Sequence, residues 1–173
     1  RKSAVKPAHS KLRVPHSPFR ILKMETVSSL TPIWVCLASL LAVIPIVAFG
    51  RVPNLREGAT FVAAFIKFAL VLSMLPVIQS GKIIECTLVH ITPTVPLEFR
   101  VDGLGILFAL VASFLWIPTS LYAIGYMRGL HEHSQTRFFA FFAVSLSATL
   151  GVAFAGNLLT LYVFYELLSM ATF

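Results

Sequence analysis

Long apolar segments are the feature of this sequence that most restricts what it can fold into. An apolar run of about 18 residues or more can cross the hydrocarbon core of a bilayer as a helix, and several such runs occur here. Only 12% of the 173 residues are charged, whereas an average soluble domain has roughly 25%. The chain therefore has too little polar surface to enclose a core in water, and an all-α, polytopic membrane protein is predicted.

Five membrane-spanning helices are predicted within residues 24–173, which form one membrane domain. The spans cover residues 30–49, 59–78, 103–126, 137–155 and 158–173. Sixteen helical residues rise only about 24 Å, less than the roughly 30 Å hydrocarbon core. The fifth span is therefore expected to be truncated at Phe173, and the chain to be a fragment of a longer protein.

The segment between the second and third predicted spans has the pattern of strands. Apolar and polar residues alternate strictly over residues 97–102 and again over residues 84–88, which is typical of half-buried strands. Thr92-Pro93-Thr94 lies between the two runs. We predict a β-hairpin on one membrane surface, because open strand edges would leave backbone groups unsatisfied in hydrocarbon.

The loop charges predict an orientation in the membrane. The connections at residues 51–58 and 127–137 carry Arg51, Arg56, Arg128 and Arg137, whereas residues 79–102 carry only Lys82 and Arg100 as cations. Cytoplasmic loops are enriched in Lys and Arg, so the hairpin is expected outside.

Residues 1–23 form a basic segment ahead of Met24. They hold seven Lys and Arg residues and no acidic one. Such a segment could bind nucleic acid or anionic lipid. Because the segment lacks a hydrophobic period, we favour a disordered or non-native tail, and no nucleic-acid partner is expected.

Glu166 is the strongest candidate for chemistry. It lies eight residues after Leu158, about 12 Å into the fifth span, where an unpaired ionised carboxylate costs at least ~2.5 kcal/mol. Protonation or a cationic partner would relieve that cost, and either would let the site bind and release a proton. Tyr162 and Ser169 share its helix face and could support it by hydrogen bonding. The alternative is that Glu166 only holds helices together.

Lys67 is the other ionisable residue deep in a predicted span. It lies about 12 Å along the helix from Ala59. Its ammonium could pair with Glu166 or with another acidic residue, or its long stem could carry the charge out to the membrane surface. A desolvated lysine can also act as a proton carrier, so Lys67 is a second candidate for proton translocation.

Other residues suggest no further chemistry. His131 and His133 flank Glu132 in a loop without a third metal ligand, and Cys36 and Cys86 are predicted to be unpaired. No phosphate-binding loop, nucleophile elbow, haem ligand pair or zinc motif occurs. No metal, cofactor or catalytic residue is predicted.

Three stretches carry a resemblance to a known family. They are Asp102-Gly103-Leu104-Gly105-Ile106-Leu107-Phe108, Arg137-Phe138-Phe139 and residues 157–169, in which Tyr165-Glu166-Leu167-Leu168-Ser169 is the most specific part. Over about residues 24–173 the chain resembles the antiporter-like subunits of respiratory complex I and of Mrp cation/proton antiporters. Residues 56–60 and 125–128 make it most similar to the D-type subunit of Mrp antiporters.

The resemblance implies a subunit of about fourteen helices with inverted repeats, of which this chain would supply the first five. It implies that Glu166 faces a lysine on a later helix and that the subunit moves protons in exchange for Na+ or K+. The implied partners are the other subunits of the complex and the lipid bilayer, in the cytoplasmic membrane of a prokaryote.

Two alternatives stay open. The chain could be part of a proton-pumping subunit of NADH:quinone oxidoreductase (complex I), which would count as an NADH dehydrogenase subunit, or of a membrane-bound hydrogenase. It could also be a structural membrane protein without transport, in which Glu166 only joins helices.

Overall fold

Helices make up most of the structure, a computed structural model that describes residues 25–92, 95–130 and 133–173. Within these residues, four helices are long and apolar enough to cross a membrane. They are α1 (Thr31–Ala48), α2 (Pro53–Gln79), α3 (Gly103–Gly129) and α4 (Gln135–Ala153). A shorter apolar helix, α5 (Leu158–Thr172), follows. The helical membrane architecture is thus confirmed, with four helices of spanning length where the sequence predicted five spans.

The start of α2 corrects a predicted boundary. The sequence predicted a polar turn up to Gly58, but the helix begins at Pro53, where proline suits the first helical turn. Arg56 and Glu57 are helical and only 3% and 7% exposed. These charges suggested a loop, yet both side chains find partners on other helices, so the helix includes them.

A small sheet lies between α2 and α3 in the sequence. Strands β2 (Ile83–Thr92) and β3 (Val95–Val101) pair antiparallel, which confirms the predicted hairpin. A short strand, β1 (Thr26–Ser28), adds to β2 in parallel. No pattern in the sequence indicated β1, because three residues are too few to show an alternation.

The alternation in the hairpin separates a buried face from an exposed one. Cys86 pairs with Phe99, and both are buried. On the other face Glu85 pairs with Arg100, and their side chains form a half-exposed ion pair at 3.8 Å. The hairpin therefore packs one face on the helices and turns the other outward.

The connection between α4 and α5 covers the outer edge of β3. The Arg100 amide donates to the Phe154 carbonyl at 2.7 Å, and the Gly156 amide donates to the Glu98 carbonyl at 2.9 Å. The Glu98 amide donates to the Thr160 hydroxyl at 3.0 Å. These bonds satisfy backbone groups that an open edge would expose.

The helices enclose two buried apolar clusters. One lies next to the hairpin and includes Val71, Phe99 and Phe154. The other includes Ala64 and Trp116. On α2, position 67 falls between Ala64 and Val71, at the level where the two clusters meet.

Candidate functional site

Lys67 lies at the centre of the helix bundle. Its side chain is 0% exposed. The ammonium nitrogen Nζ donates to Ser39 Oγ on α1 at 2.9 Å and to the Leu146 carbonyl on α4 at 3.0 Å. It also lies 5.3 Å from the centroid of the Trp116 ring on α3. Four helices therefore converge on this one group, and the alternative that its charge reaches the membrane surface is wrong.

Neutral groups surround the Lys67 ammonium. Ser39 Oγ also donates to the Cys36 carbonyl at 3.3 Å, and Ser147 Oγ on α4 donates to the same carbonyl at 2.8 Å. Among the described residues, no carboxylate forms an ion pair with Lys67. A buried charge without a counter-ion costs several kcal/mol, and hydrogen bonds to neutral oxygen atoms offset part of that cost here.

Glu166 lies on α5, away from the bundle interior. The face of α5 toward the bundle carries Thr160, which is fully buried, and Phe164. Glu166 is exposed, as are Tyr162 and Ser169. The structure therefore places the three predicted residues on outward-facing parts of one helix. It does not bring Glu166 to Lys67, whose nitrogen bonds to Ser39 and Leu146 instead.

A charged cluster that the sequence analysis missed joins α2, α3 and α4 at one end of the bundle. Arg128 binds Glu57 through two hydrogen bonds, Nη2 to Oε2 at 2.6 Å and Nε to Oε1 at 2.9 Å. Arg56 Nη2 donates to Gln135 Oε1 at 2.7 Å. We call these four residues the arginine cluster. Glu57 was the available signal, since it is the one acidic residue in the basic connection at residues 51–58.

A metal site is not found in the part of the chain that the structure describes. Among those residues, no group of three or more His, Cys, Asp or Glu side chains is arranged to hold a metal ion. His131 and Glu132 lie outside the described residues. Cys36 and Cys86 are both free and buried, as predicted. Burial raises the pKa of the Cys86 thiol, which disfavours the reactive thiolate.

Comparisons with known proteins show similarity to antiporter and complex I subunits. The family described as NADH-ubiquinone oxidoreductase (complex I), chain 5 N-terminus, matches residues 88–139. The antiporter subunit mnhA2 of Staphylococcus haemolyticus is 29% identical over 126 residues, which are 70% of this chain and 16% of that protein. The A-type subunit of the Na(+)/H(+) antiporter of Alkalihalophilus pseudofirmus is 33% identical over 113 residues, 64% of this chain and 14% of that protein.

A solved structure has the same fold. It is that of the membrane-bound sulfane sulfur reductase, an archaeal respiratory membrane complex. The match has a TM-score of 0.66 and 19% identity, and it covers 80% of this chain and 21% of the matched one. At that identity the likeness concerns the fold alone.

These matches show similarity to one group of membrane subunits, but they do not decide the subunit type. The chain spans less than one fifth of the two antiporter relatives. Neither of these relatives is named as a D-type subunit, so that finer prediction stays a prediction. The chain is a multi-pass membrane protein that is similar to the antiporter-like subunits of Mrp antiporters and of respiratory complex I.

Proposed function

We propose that this chain is part of a proton-translocating subunit of a multi-subunit Na+/H+ or K+/H+ antiporter in a prokaryotic cytoplasmic membrane. The names of the antiporter relatives support exchange of a monovalent cation for protons. The relative from Alkalihalophilus pseudofirmus is named as an A-type subunit, and this favours the A type over the predicted D type. The other subunits of the complex are the proposed partners.

The observation that carries the proposal is the position of Glu166. It is exposed on a helix whose other residues are mostly apolar and all uncharged. An ionised carboxylate facing lipid would cost at least ~2.5 kcal/mol, so Glu166 needs a cationic partner or a proton. An ion pair that forms and breaks at low dielectric changes the proton affinity of both partners. Glu166 can then take up a proton in one state and release it in the other.

A proton-pumping subunit of complex I, or of a related respiratory complex such as a membrane-bound hydrogenase, is the second candidate. Residues 88–139 match the complex I family, and the fold matches that of an archaeal respiratory complex. The two candidates differ in what drives proton movement. An antiporter requires Na+ or K+, whereas a complex I subunit responds to a redox reaction elsewhere in its assembly.

The test measures proton flux in vesicles that hold the full-length subunit with its partner subunits. Glu166→Gln removes the ionisable group and keeps the shape, so Na+- or K+-dependent flux should be lost. Glu85→Gln is the matched control, because Glu85 is a half-exposed carboxylate on the hairpin and its loss should leave flux unchanged. Unchanged flux in Glu166→Gln at normal expression would make Glu166 a structural residue and contradict the proposal.

A further inference from the structure

Three buried polar atoms in the described bundle have no hydrogen-bond partner: Arg56 Nε, Trp116 Nε1 and Ser120 Oγ. Their residues are at most 3% exposed. An unsatisfied buried donor or acceptor costs about 1–3 kcal/mol, and ordered water is the usual partner of such groups. Three of them in one small bundle point to water within it.

Two of these atoms, Trp116 Nε1 and Ser120 Oγ, belong to residues one turn apart on α3, and Arg56 lies on the neighbouring α2. The Glu57–Arg128 ion pair and the Lys67–Trp116 contact show that the two helices run antiparallel. Ser120 is one helical turn from Trp116 toward Arg128, so it lies between the arginine cluster and Lys67. Ten residues of helix separate Glu57 from Lys67, a distance of about 15 Å.

Several buried side chains on the facing parts of α2 and α3 are small, and one supplies an oxygen atom. On α2 the buried residues between Glu57 and Lys67 are Thr60, Ala63 and Ala64. On α3, Ala123 is buried one turn beyond Ser120. Each is small, and the hydroxyl oxygen of Thr60 can accept a hydrogen bond while it donates to the Arg56 carbonyl at 3.1 Å.

We propose that protons reach Lys67 from the arginine cluster through water held between α2 and α3 by Thr60, Ser120 and the Trp116 indole nitrogen. This inference rests on the proposed function and names a second proton-binding group beside Glu166. A proton passes from water to the neutral amine of Lys67, and the ammonium returns it to water. The bonds broken and formed are O–H and N–H only, so no co-reactant is needed.

The charges between α2 and α3 select protons over alkali cations. The ionisable groups facing Lys67 are limited, within the described part of the chain, to the Cys36 thiol on α1, while Trp116 and the Leu146 carbonyl are neutral. At the far end, Arg56 and Arg128 outnumber Glu57. A fixed positive potential repels every cation, but a proton can bond to the neutral amine of Lys67, whereas Na+ and K+ find no carboxylate beside that amine among the described residues.

Thiol labelling tests for the water. Cys36 and Cys86 are first replaced by alanine in the full-length subunit within its complex. Ser120→Cys is then compared with Ser113→Cys, a matched control on α3. Ser113 is equally buried, but its hydroxyl bonds within its own helix, to the Ala109 carbonyl at 2.6 Å. N-ethylmaleimide reacts with the thiolate, which needs contact with water to form.

Labelling at position 120 should be at least about tenfold faster than at position 113, since each unit of thiol pKa changes the thiolate fraction tenfold. Equal, slow labelling at the two positions would overturn the inference. Labelled Ser120→Cys should also lose most proton flux, and labelling without loss of flux would overturn the assignment of the water to a proton route. Labelling needs no transport, so it would still detect the water if Glu166→Gln contradicted the proposed function.

Discussion

At the scale of single residues, substitutions of Lys67 can show whether its buried charge stabilises the fold or serves proton transport. Its ammonium donates hydrogen bonds to Ser39 and Leu146, and both partners are neutral. Ser39 also donates to the Cys36 carbonyl, and the Leu146 partner is a helix backbone carbonyl. Replacing even a paired buried charge with apolar side chains of similar volume is often neutral or stabilising by ~1–4 kcal/mol, and Lys67 has no ion-pair partner among the described residues. Lys67→Met should therefore keep or raise the unfolding temperature of the complex in detergent while it lowers proton flux.

Two further variants make this prediction specific. Lys67→Ala should lose roughly 2–5 kcal/mol, because it leaves a cavity where Met would fill the space. Lys82→Met should change stability by less than about 1 kcal/mol, because Lys82 forms an exposed ion pair with Glu25. If Lys67→Met destabilised the complex as much as Lys67→Ala does, the ammonium would be holding the helices together.

The sequence predicted Lys67 and Glu166 as ionisable residues deep in their spans, because depth along a helix follows from counting residues in an apolar run, and Lys67 is buried in the bundle. It could not identify the partners of Lys67. Ser39 and Leu146 lie 28 and 79 residues away in the chain, and only helix packing brings them together. The polar atoms of Trp116 and Ser120 were not predicted as part of a site, because both residue types are common in apolar helices.

At the scale of helices and strands, the contact between α4 and α5 depends on one glycine. A Cβ atom on Gly151 would overlap the ring of Phe164. Gly151→Ala should therefore destabilise the protein by ~1–3 kcal/mol, the usual cost of overpacking a core. The measurement is the unfolding temperature of the purified complex.

Gly125→Ala is the control for this contact, because nothing lies within 4 Å of the added Cβ on α3. Alanine is also the better helix former by about 1 kcal/mol, so Gly125→Ala should be neutral or stabilising. Phe164→Leu in the Gly151→Ala background should recover part of the loss. A Gly151→Ala variant as stable as the parent would show that α5 is free to move away from α4.

Helices and strands were predicted correctly where one hydrophobic period dominates the sequence. They were missed where contacts with other elements determine the local structure. The alternation in residues 84–88 and 97–102 was enough to predict the hairpin. The first turn of α2 was missed, because charged residues such as Arg56 and Glu57 are typical of loops. Their helical position is explained by their hydrogen bonds to Gln135 and Arg128. The bonds between the α4–α5 connection and β3 were not predicted, because they join residues about 55 positions apart in the chain.

At the scale of the whole molecule, the bundle has two different ends. At one end the α1–α2 and α3–α4 connections meet, where the Thr136 hydroxyl donates to the Gly50 carbonyl at 3.4 Å. At the other end the hairpin packs against the α4–α5 connection through the Gly156–Glu98 bond. The arginine cluster is at the first end, and Lys and Arg are enriched on the cytoplasmic side of membrane proteins.

We therefore expect the arginine cluster to face the cytoplasm and the hairpin to face outward. Ser134 and Ser80 are exposed residues at the two ends, so Ser134→Cys and Ser80→Cys can report sidedness in a protein whose native cysteines are replaced. A membrane-impermeant thiol reagent should label Ser80→Cys in right-side-out vesicles and Ser134→Cys in inverted ones. The opposite labelling pattern would contradict the expected orientation and would place the entry of the Lys67 water path at the outer surface. Labelling of both cysteines from one side would contradict the assignment of Ser134 and Ser80 to opposite ends of the bundle.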